Sequence, residues 1–313
     1  MADPTLKQMR YFEALARYGH FGRAAEASAI SQPALSVQIR ELENTLGAAL
    51  FERGARGARL TAFGRQVAER VRAILRAVDE LGELGRISQG GFSGSFRLGV
   101  IPTVAPYLLP SLVATLSRTH PELDLVMRET ITPRLIDGLQ DGSLDAALVA
   151  LPISDPSLTT AELFDEPFLL VRPERDADAP TPAPDALDRM RLLLLEEGHC
   201  FRDQALAVCA TTATGTRHGL DGSSLSTLVQ MVGAGLGITL IPEMAVPVET
   251  RSAPVAATRF PDPQPSRRIG LVWRRSSPLA ASLEGLAETL RAAAAAGWRE
   301  AATASRAGNS TER

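Results

Sequence analysis

Cysteine is scarce in this chain: 313 residues carry two, Cys200 and Cys209. So small a supply excludes the disulfide lattice on which small secreted domains depend. Long hydrophobic runs are lacking too. Leu192 to Leu195 and the alanine-rich stretch near Ala292 fall far short of the roughly 20 apolar residues a membrane-spanning helix requires. The opening MADPTLKQMR has no apolar core of a secretory signal. These gaps predict a soluble, cytoplasmic protein with no membrane partner. A strong charge of one sign is also missing, since the net is −3.

What is present is ordinary in amount and uneven in placement. Hydrophobic residues make up 45% and charged residues 22%, as in soluble globular proteins. The length suits two or more domains, each with its own core. Residues 1–90 hold 13 Lys and Arg against 10 Asp and Glu, a balance of +3; the remainder holds 20 against 26, a balance of −6. That division leaves room for nucleic acid at the N-terminal end without demonstrating it.

Residues 5–88 carry helical periodicity with one Gly- and Arg-rich interruption. Leu6, Met9, Phe12 and Leu15 recur at three-to-four spacing behind Thr5, a candidate N-cap. A short helix fits Arg23 to Ser28 and a third fits Gln32 to Leu46, with Gly47 as its stop. FERGARGARL, from Phe51, suits two short strands about a glycine-rich turn. Thr61 can cap a long helix whose stripe of Phe63, Val67, Val71, Ile74, Val78 and Leu81 makes a natural dimer seam, with packing on its own domain as the alternative. Near Gly90 the texture changes to a linker, QGGFSGS, and then to short apolar runs alternating with helical patterns. Such alternation predicts parallel sheets of βαβ units.

The expected fold is α/β with an N-terminal all-α domain, which the family resemblance given below implies is a winged helix-turn-helix. The C-terminal half is expected to form two α/β subdomains resembling periplasmic binding proteins. The divisions are 1–62 for the winged head, 63–90 for the linker helix and hinge, and 91–300 for an effector domain. Within the last, subdomain I takes 91–164 and 269–300, subdomain II takes 165–268, and 301–313 is a tail.

The order helix, turn, helix across Phe21 to Leu46 has helix-turn-helix proportions. Ser31 can cap the third helix, and Pro33 falls in its first turn, where a missing N–H costs little. Gln32, Pro33, Ser36 and Arg40 lie opposite Leu35 and Leu42. Gln and Ser suit base edges, and Arg40 suits base or phosphate. Arg53 and Arg56, on the hairpin, would grip phosphates as a wing. By spacing alone an ordinary helical hairpin remains open. The segment from Leu6 to Gly64, with SQPALS, LFER and LTAFG, closely resembles the winged helix-turn-helix of LysR-type transcriptional regulators. The resemblance implies that the helix from Ser31 reads the major groove of double-stranded promoter DNA. It also implies that the long helix pairs two subunits and that the α/β half senses an effector.

The second informative segment is LLEEGHCFRDQALAVC, Leu194 to Cys209. Cys200 falls at or just before a helix start, where the helix N-terminus, His199 and Arg202 would favour a reactive, anionic cysteine. Cys209 lies among Ala207, Val208 and Ala210. If both sit on one helix, nine residues separate them by about 13.5 Å, whereas a disulfide needs Cα atoms within about 7 Å. Joining them would force the segment to rearrange, which is a two-state switch. Two quiet buried thiols, or a zinc site of His199, Cys200, Cys209 and His218, remain alternatives at this point.

Here the chain is similar to the peroxide-sensing members of the LysR family. The likeness includes IPTVAPYLLP from Ile101, FDEPFLL from Phe164, GLGITLIPEMAVP from Gly235 and RRIGLVWRRSSPL from Arg267. It implies that Cys200 is the peroxidatic residue and Cys209 the resolving one, with hydrogen peroxide as the effector. It further implies that Thr103 and Thr132 orient peroxide while His199 and Asp203 shape the hydrogen-bond network. Neither cofactor nor metal is implied; a tetramer, a thiol reductant and RNA polymerase are. The chain departs from the pattern across Ala210 to Gly222, which is rich in Thr and Gly, and at Ser226 and Val229, where charges are expected. Competing readings are a metabolite-sensing LysR-type regulator, a thiol peroxidase and a solute-binding protein; the DNA-reading head opposes the last two.

Charge and placement give a DNA test. Arg53→Ala should weaken binding to all sequences alike, and Gln32→Ala should relax base preference. Competitive binding to matched and mutated operator duplexes distinguishes the two patterns.

Overall fold

The computed structural model describes residues 3–54, 57–87, 94–208 and 221–292. It divides into two compact units, Met1–Ser88 and Gln89–Arg313.

In the first unit, α1 (Leu6–Tyr18) opens with a reciprocal cap. The Thr5 hydroxyl accepts from the Gln8 N–H, the Gln8 side chain accepts from the Thr5 N–H, and the helix ends at Gly19. α2 spans Phe21–Ala27, two residues earlier than the apolar spacing indicates, because His20 Nδ1 accepts from the Gly22 N–H and starts the helix there. α3 (Gln32–Leu46) begins where Ser31 Oγ accepts from the Ala34 N–H and stops at Gly47. β1 (Phe51–Gly54) and β2 (Gly57–Leu60) pair antiparallel. Phe12, Leu15, Leu35, Ile39, Leu42, Leu50 and Phe51 are buried together, with the Phe12 and Phe51 rings 5.4 Å apart.

α4 (Ala62–Ile87) starts on Thr61, whose Oγ1 accepts from the Gly64 N–H at 2.8 Å and donates to the Ala49 carbonyl at 2.9 Å. Gly64 faces the Leu50 carbonyl so closely that an added Cβ would lie 2.1 Å from its oxygen. LTAFG is thus a cap followed by a contact only glycine allows. The apolar stripe on α4 is shared. Val67 and Val71 pack on the unit's own core, whereas Phe63, Ile74 and Leu81 are 38%, 42% and 68% exposed.

The second unit runs β3 (Gly94–Val100), α5 (Ala105–Thr119), β4 (Leu123–Glu129), α6 (Thr132–Asp141), β5 (Ala146–Leu151) and β6 (Leu158–Pro173). Then follow β7 (Leu194–Leu195), α7 (Cys200–Val208), β8 (Asp221–Gly222), α8 (Leu225–Gly233) and β9 (Thr239–Pro242). α9 (Val246–Glu249), β10 (Val255–Arg259) and β11 (Ser266–Arg274) complete the named elements, and a helix is described over 280–292. The main sheet has the order β10-β6-β11-β5-β3-β4, with β9 also on β6.

The expectation of parallel sheets needs correction. β4, β3 and β5 are parallel, but β6 and β11 pair antiparallel, as do β9 and β10 with β6. Hydrophobic periodicity reports which faces are buried and not the direction of the neighbouring strand, so the mixed sheet was invisible to it. Sixteen-residue β6 serves two lobes. Its first part pairs with β11 and its last part with β9 and β10. One core lies under β3, β5 and β11, and the other under β7, β9, α7 and α8.

Gly64→Ala should destabilise the first unit by about 2–3 kcal/mol through that backbone clash. Urea denaturation checks this, with Gly82→Ala on the same helix, where an added Cβ meets nothing within 4 Å, as the control, expected to stabilise by up to about 1 kcal/mol.

Candidate functional site

Two surfaces carry candidate chemistry. On α3, Gln32, Pro33, Ser36, Val37 and Arg40 line one open concave face, while Leu35, Ile39 and Leu42 hold the opposite face in the core. That is the arrangement a groove-reading helix needs: a buried seam fixes the helix, and polar side chains are left free to meet base edges. Arg56 and the side chain of Arg53 lie outside the described residues.

The second surface is a small, tight pocket lined by Ile101, Pro102, Thr103, Ile131, Thr132, His199, Cys200 and Phe201. Three chain segments build it: the run after β3, the start of α6, and the start of α7. Gly198, with φ +94°, turns the chain into α7; an added Cβ there would sit 3.0 Å from Ile131 Cδ1. Cys200 is the first residue of α7, a free and half-buried thiol. The structure thus brings Thr103, Thr132, His199 and Cys200 to one cavity. Asp203 is exposed and does not line it. Cys209 lies outside the described residues, as does His218 of the zinc alternative.

The polar groups of the pocket are unequally satisfied. Thr132 Oγ1 is buried without a hydrogen-bond partner, a costly state for a hydroxyl unless something else meets it. Thr103, 2% exposed, accepts from Arg267 Nη1 on its hydroxyl oxygen at 2.7 Å and from Nη2 on its carbonyl at 3.0 Å. Arg267 Nε donates to Glu166 Oε2 at 2.8 Å, and both side chains have no exposed surface. Glu166 Oε1 also accepts from the Met244 N–H. Burial pushes the Glu166 carboxyl up, and the Arg267 guanidinium opposes that. The guanidinium lies 5.4 Å from the Phe201 ring centroid, and Phe201 packs edge-on to Phe168. Further out, the Tyr107 hydroxyl on α5 donates to Glu249 Oε1 on α9 at 2.6 Å; burial and that carboxylate hold its ionisation well above the usual tyrosine range.

Two residues suggested by sequence as cationic neighbours of Cys200 behave otherwise. Arg202 Nη1 donates to the Leu195 carbonyl at 2.7 Å and pairs with Asp221 at 3.1 Å, so it clamps α7 to β7 and β8. Burial lowers the His199 imidazole below its usual range, with Glu196 partly offsetting this, which favours the uncharged ring. Arg267 and Glu166 went unnoticed. Their signal was present: FDEP on β6 and RRIG on β11 each place two charges on consecutive strand positions, which point to opposite faces. One member of each pair must face inward, and buried charges come paired. Asp165 and Arg268 form the exterior pair.

Among the described residues no helix is long and apolar enough to cross a membrane, and no cluster of His, Cys, Asp and Glu could hold a metal ion. A helix-turn-helix head followed by a two-lobed α/β unit defines a DNA-binding regulator with an attached sensing domain. The chain belongs to the LysR family: residues 6–65 match the bacterial regulatory helix-turn-helix protein of that family, and residues 89–295 match its substrate binding domain.

Its relatives narrow the group. A probable hydrogen peroxide-inducible genes activator of Streptomyces viridosporus is 45% identical, covering 93% of this chain and 95% of that protein. The DNA-binding transcriptional dual regulator OxyR of Escherichia coli K12 is 40% identical, covering 92% and 95%. Among solved structures, a full-length cysteine-to-aspartate variant of OxyR from Pseudomonas aeruginosa matches with TM-score 0.75 at 35% identity, over 93% of this chain and 96% of that one. A hydrogen peroxide-bound cysteine-to-serine OxyR from Corynebacterium glutamicum matches with TM-score 0.67 at 35% identity, over 97% of each chain.

A half-buried imidazole whose charged form is disfavoured makes a pH prediction. The folded His199 should titrate below the ordinary value of about 6.5, so the unfolded chain takes up this proton first. Its contribution to stability is then present above 6.5 and lost as pH falls through the folded value. Histidine-selective NMR, assigned with His199→Gln, reads the midpoint; a value at or above about 6.5 contradicts the disfavoured charge.

Proposed function

We propose that this chain is a peroxide-sensing, DNA-binding transcription regulator in which Cys200 is the reacting thiol and Cys209 resolves it. The observation that carries the reading is the pocket itself. A cysteine at a helix start shares a cavity with two threonine hydroxyls and a histidine, and one of those hydroxyls is buried with nothing to bond. Such a cavity suits a very small, doubly hydroxylic molecule. The names of the relatives, hydrogen peroxide-inducible activators, point the same way.

The chemistry is stoichiometric. The Cys200 thiolate attacks one peroxide oxygen, the O–O bond breaks, and the departing hydroxide takes up a proton to leave as water. The Cys209 thiolate then displaces hydroxide from the sulfenic sulfur, which becomes a second water on protonation, and a disulfide remains. Thr103, Thr132 and His199 orient peroxide; Asp203, exposed in this conformation, would act from outside the cavity. The disulfide is incompatible with an intact α7, so oxidation re-forms that segment. A cytosolic thiol reductant restores it. No cofactor or metal enters the reaction.

The domain limits are taken as 1–62, 63–90, 91–164 with 269–300, and 165–268, followed by a tail. The exposed Phe63, Ile74 and Leu81 of α4 suit pairing with a second copy, and a homotetramer on promoter DNA would present two such heads to each half of its site. Oxidation would change the spacing of those heads and thereby the access of RNA polymerase to antioxidant genes.

Mass spectrometry after one equivalent of hydrogen peroxide tests the reading. The reduced protein should lose two hydrogens as a Cys200–Cys209 disulfide. Cys200→Ser should not react, and Cys209→Ser should halt at a sulfenic acid that dimedone traps. An unreactive wild type would exclude the proposal, and continuous peroxide consumption would point to an enzyme instead.

A further inference from the structure

Arginine carries hydrogen-bond donors and no acceptor. With Arg267 Nη1 donating to Thr103 Oγ1, the Thr103 hydroxyl cannot give its own proton back to that guanidinium. Among the described residues no other hydrogen bond takes it. Thr103 lines the pocket, so the cavity is where an acceptor for that proton can be met. Arg267 has little freedom to alter this. Glu166 holds its Nε, both side chains are fully buried, the Met244 N–H pins the carboxylate, and the Phe201 ring lies against the guanidinium. Thr132, without a partner, can donate or accept. The two hydroxyls are therefore not equivalent.

We propose that Glu166 is a positioning residue for the thiol reaction: by fixing Arg267 it commits the Thr103 hydroxyl to donating a hydrogen bond to the peroxide oxygen that departs. The inference rests on the peroxide reading above and assigns it a residue that touches no reacting atom. In the step concerned, a bond forms between Cys200 sulfur and the nearer peroxide oxygen, which keeps its hydrogen. The O–O bond breaks, its electron pair passes to the farther oxygen, and that oxygen leaves as hydroxide and takes a proton from water. Sulfur is oxidised to the sulfenic level and peroxide oxygen is reduced. Negative charge gathers on the farther oxygen, and a donor already aimed there stabilises it without reorganisation. A buried cation behind the donor strengthens the effect.

The test compares two electrophiles on the reduced full-length protein. Hydrogen peroxide needs a donor for its leaving oxygen; iodoacetamide, which expels iodide, does not. Glu166→Gln should slow the peroxide reaction of Cys200 about ten- to a hundredfold and leave alkylation by iodoacetamide unchanged. Glu166→Asp should recover part of the loss. Thr103→Val should slow the peroxide reaction in the wild type yet add little in the Glu166→Gln background, because the two act as one unit. Equal slowing of both reagents, an unchanged peroxide rate, or independent additive effects would overturn the assignment while leaving the peroxide reading intact. Should Glu166→Gln fail to fold, Glu166→Asp carries the same two-reagent comparison, with a wild-type peroxide rate counting against the proposal. A wild-type Cys200 inert to peroxide would remove both readings together.

Discussion

A cation with no exposed surface needs a complete set of partners, and the second unit is arranged around one that has them. Arg267, on β11, reaches Glu166 on β6, Thr103 beyond β3, and the ring of Phe201 on α7. Four elements distant in sequence are held by one guanidinium. Removing a single member of such a buried pair costs about 3–5 kcal/mol, because the other charge is left unpaired in a medium that cannot solvate it. The pair therefore constrains what else can change nearby. It fixes the strand crossing between the lobes and, by the same bonds, one wall of the thiol pocket.

The pocket chemistry follows from this choice of partners. Arg202 is engaged with Asp221 and a carbonyl, and burial favours the uncharged form of His199, so the polar groups lining the pocket beside Cys200 are two hydroxyls and an imidazole that burial biases to the uncharged form. Such groups discriminate by hydrogen-bond direction more than by charge. Phe201, adjacent in sequence to Cys200, packs on Phe168 and on Arg267 together. Any rewinding of α7 that moves the thiol also moves the residue that covers the ion pair.

Much of this was legible in the sequence. Ser31, Pro33 and Gly47 bound α3 where they should, because capping and helix termination are local interactions. The alternation after Gly90 located β3, α5, β4, α6 and β5, short apolar runs and amphipathic stretches whose pattern is set locally. What could not be read was relational. His20 caps α2 although histidine is not a usual cap, and strand direction in the mixed sheet leaves no periodic trace. The role of Arg267 emerges only when β11 lies beside β6, since Glu166 is about a hundred residues away in the chain. Thr103 and Thr132 were nameable through family likeness alone; as isolated hydroxyls they carry no pattern. Sequence suggested a cationic neighbourhood for Cys200, and burial together with competing carboxylates dispersed it.

β6 runs unbroken from Leu158 to Pro173 and contributes to both lobes, while Tyr107 and Glu249 tie α5 to α9 across the same divide. Connections of this kind make a stiff joint. Large clamshell closure, in which two lobes swing on flexible loops to engulf a ligand, would have to bend β6 where its pairing passes from β11 to β9 and β10, and would break a short hydrogen bond. A signal that left the site without such a swing would travel by the reshaping of a peripheral helix against a rigid frame, much as a latch moves while the door stays still.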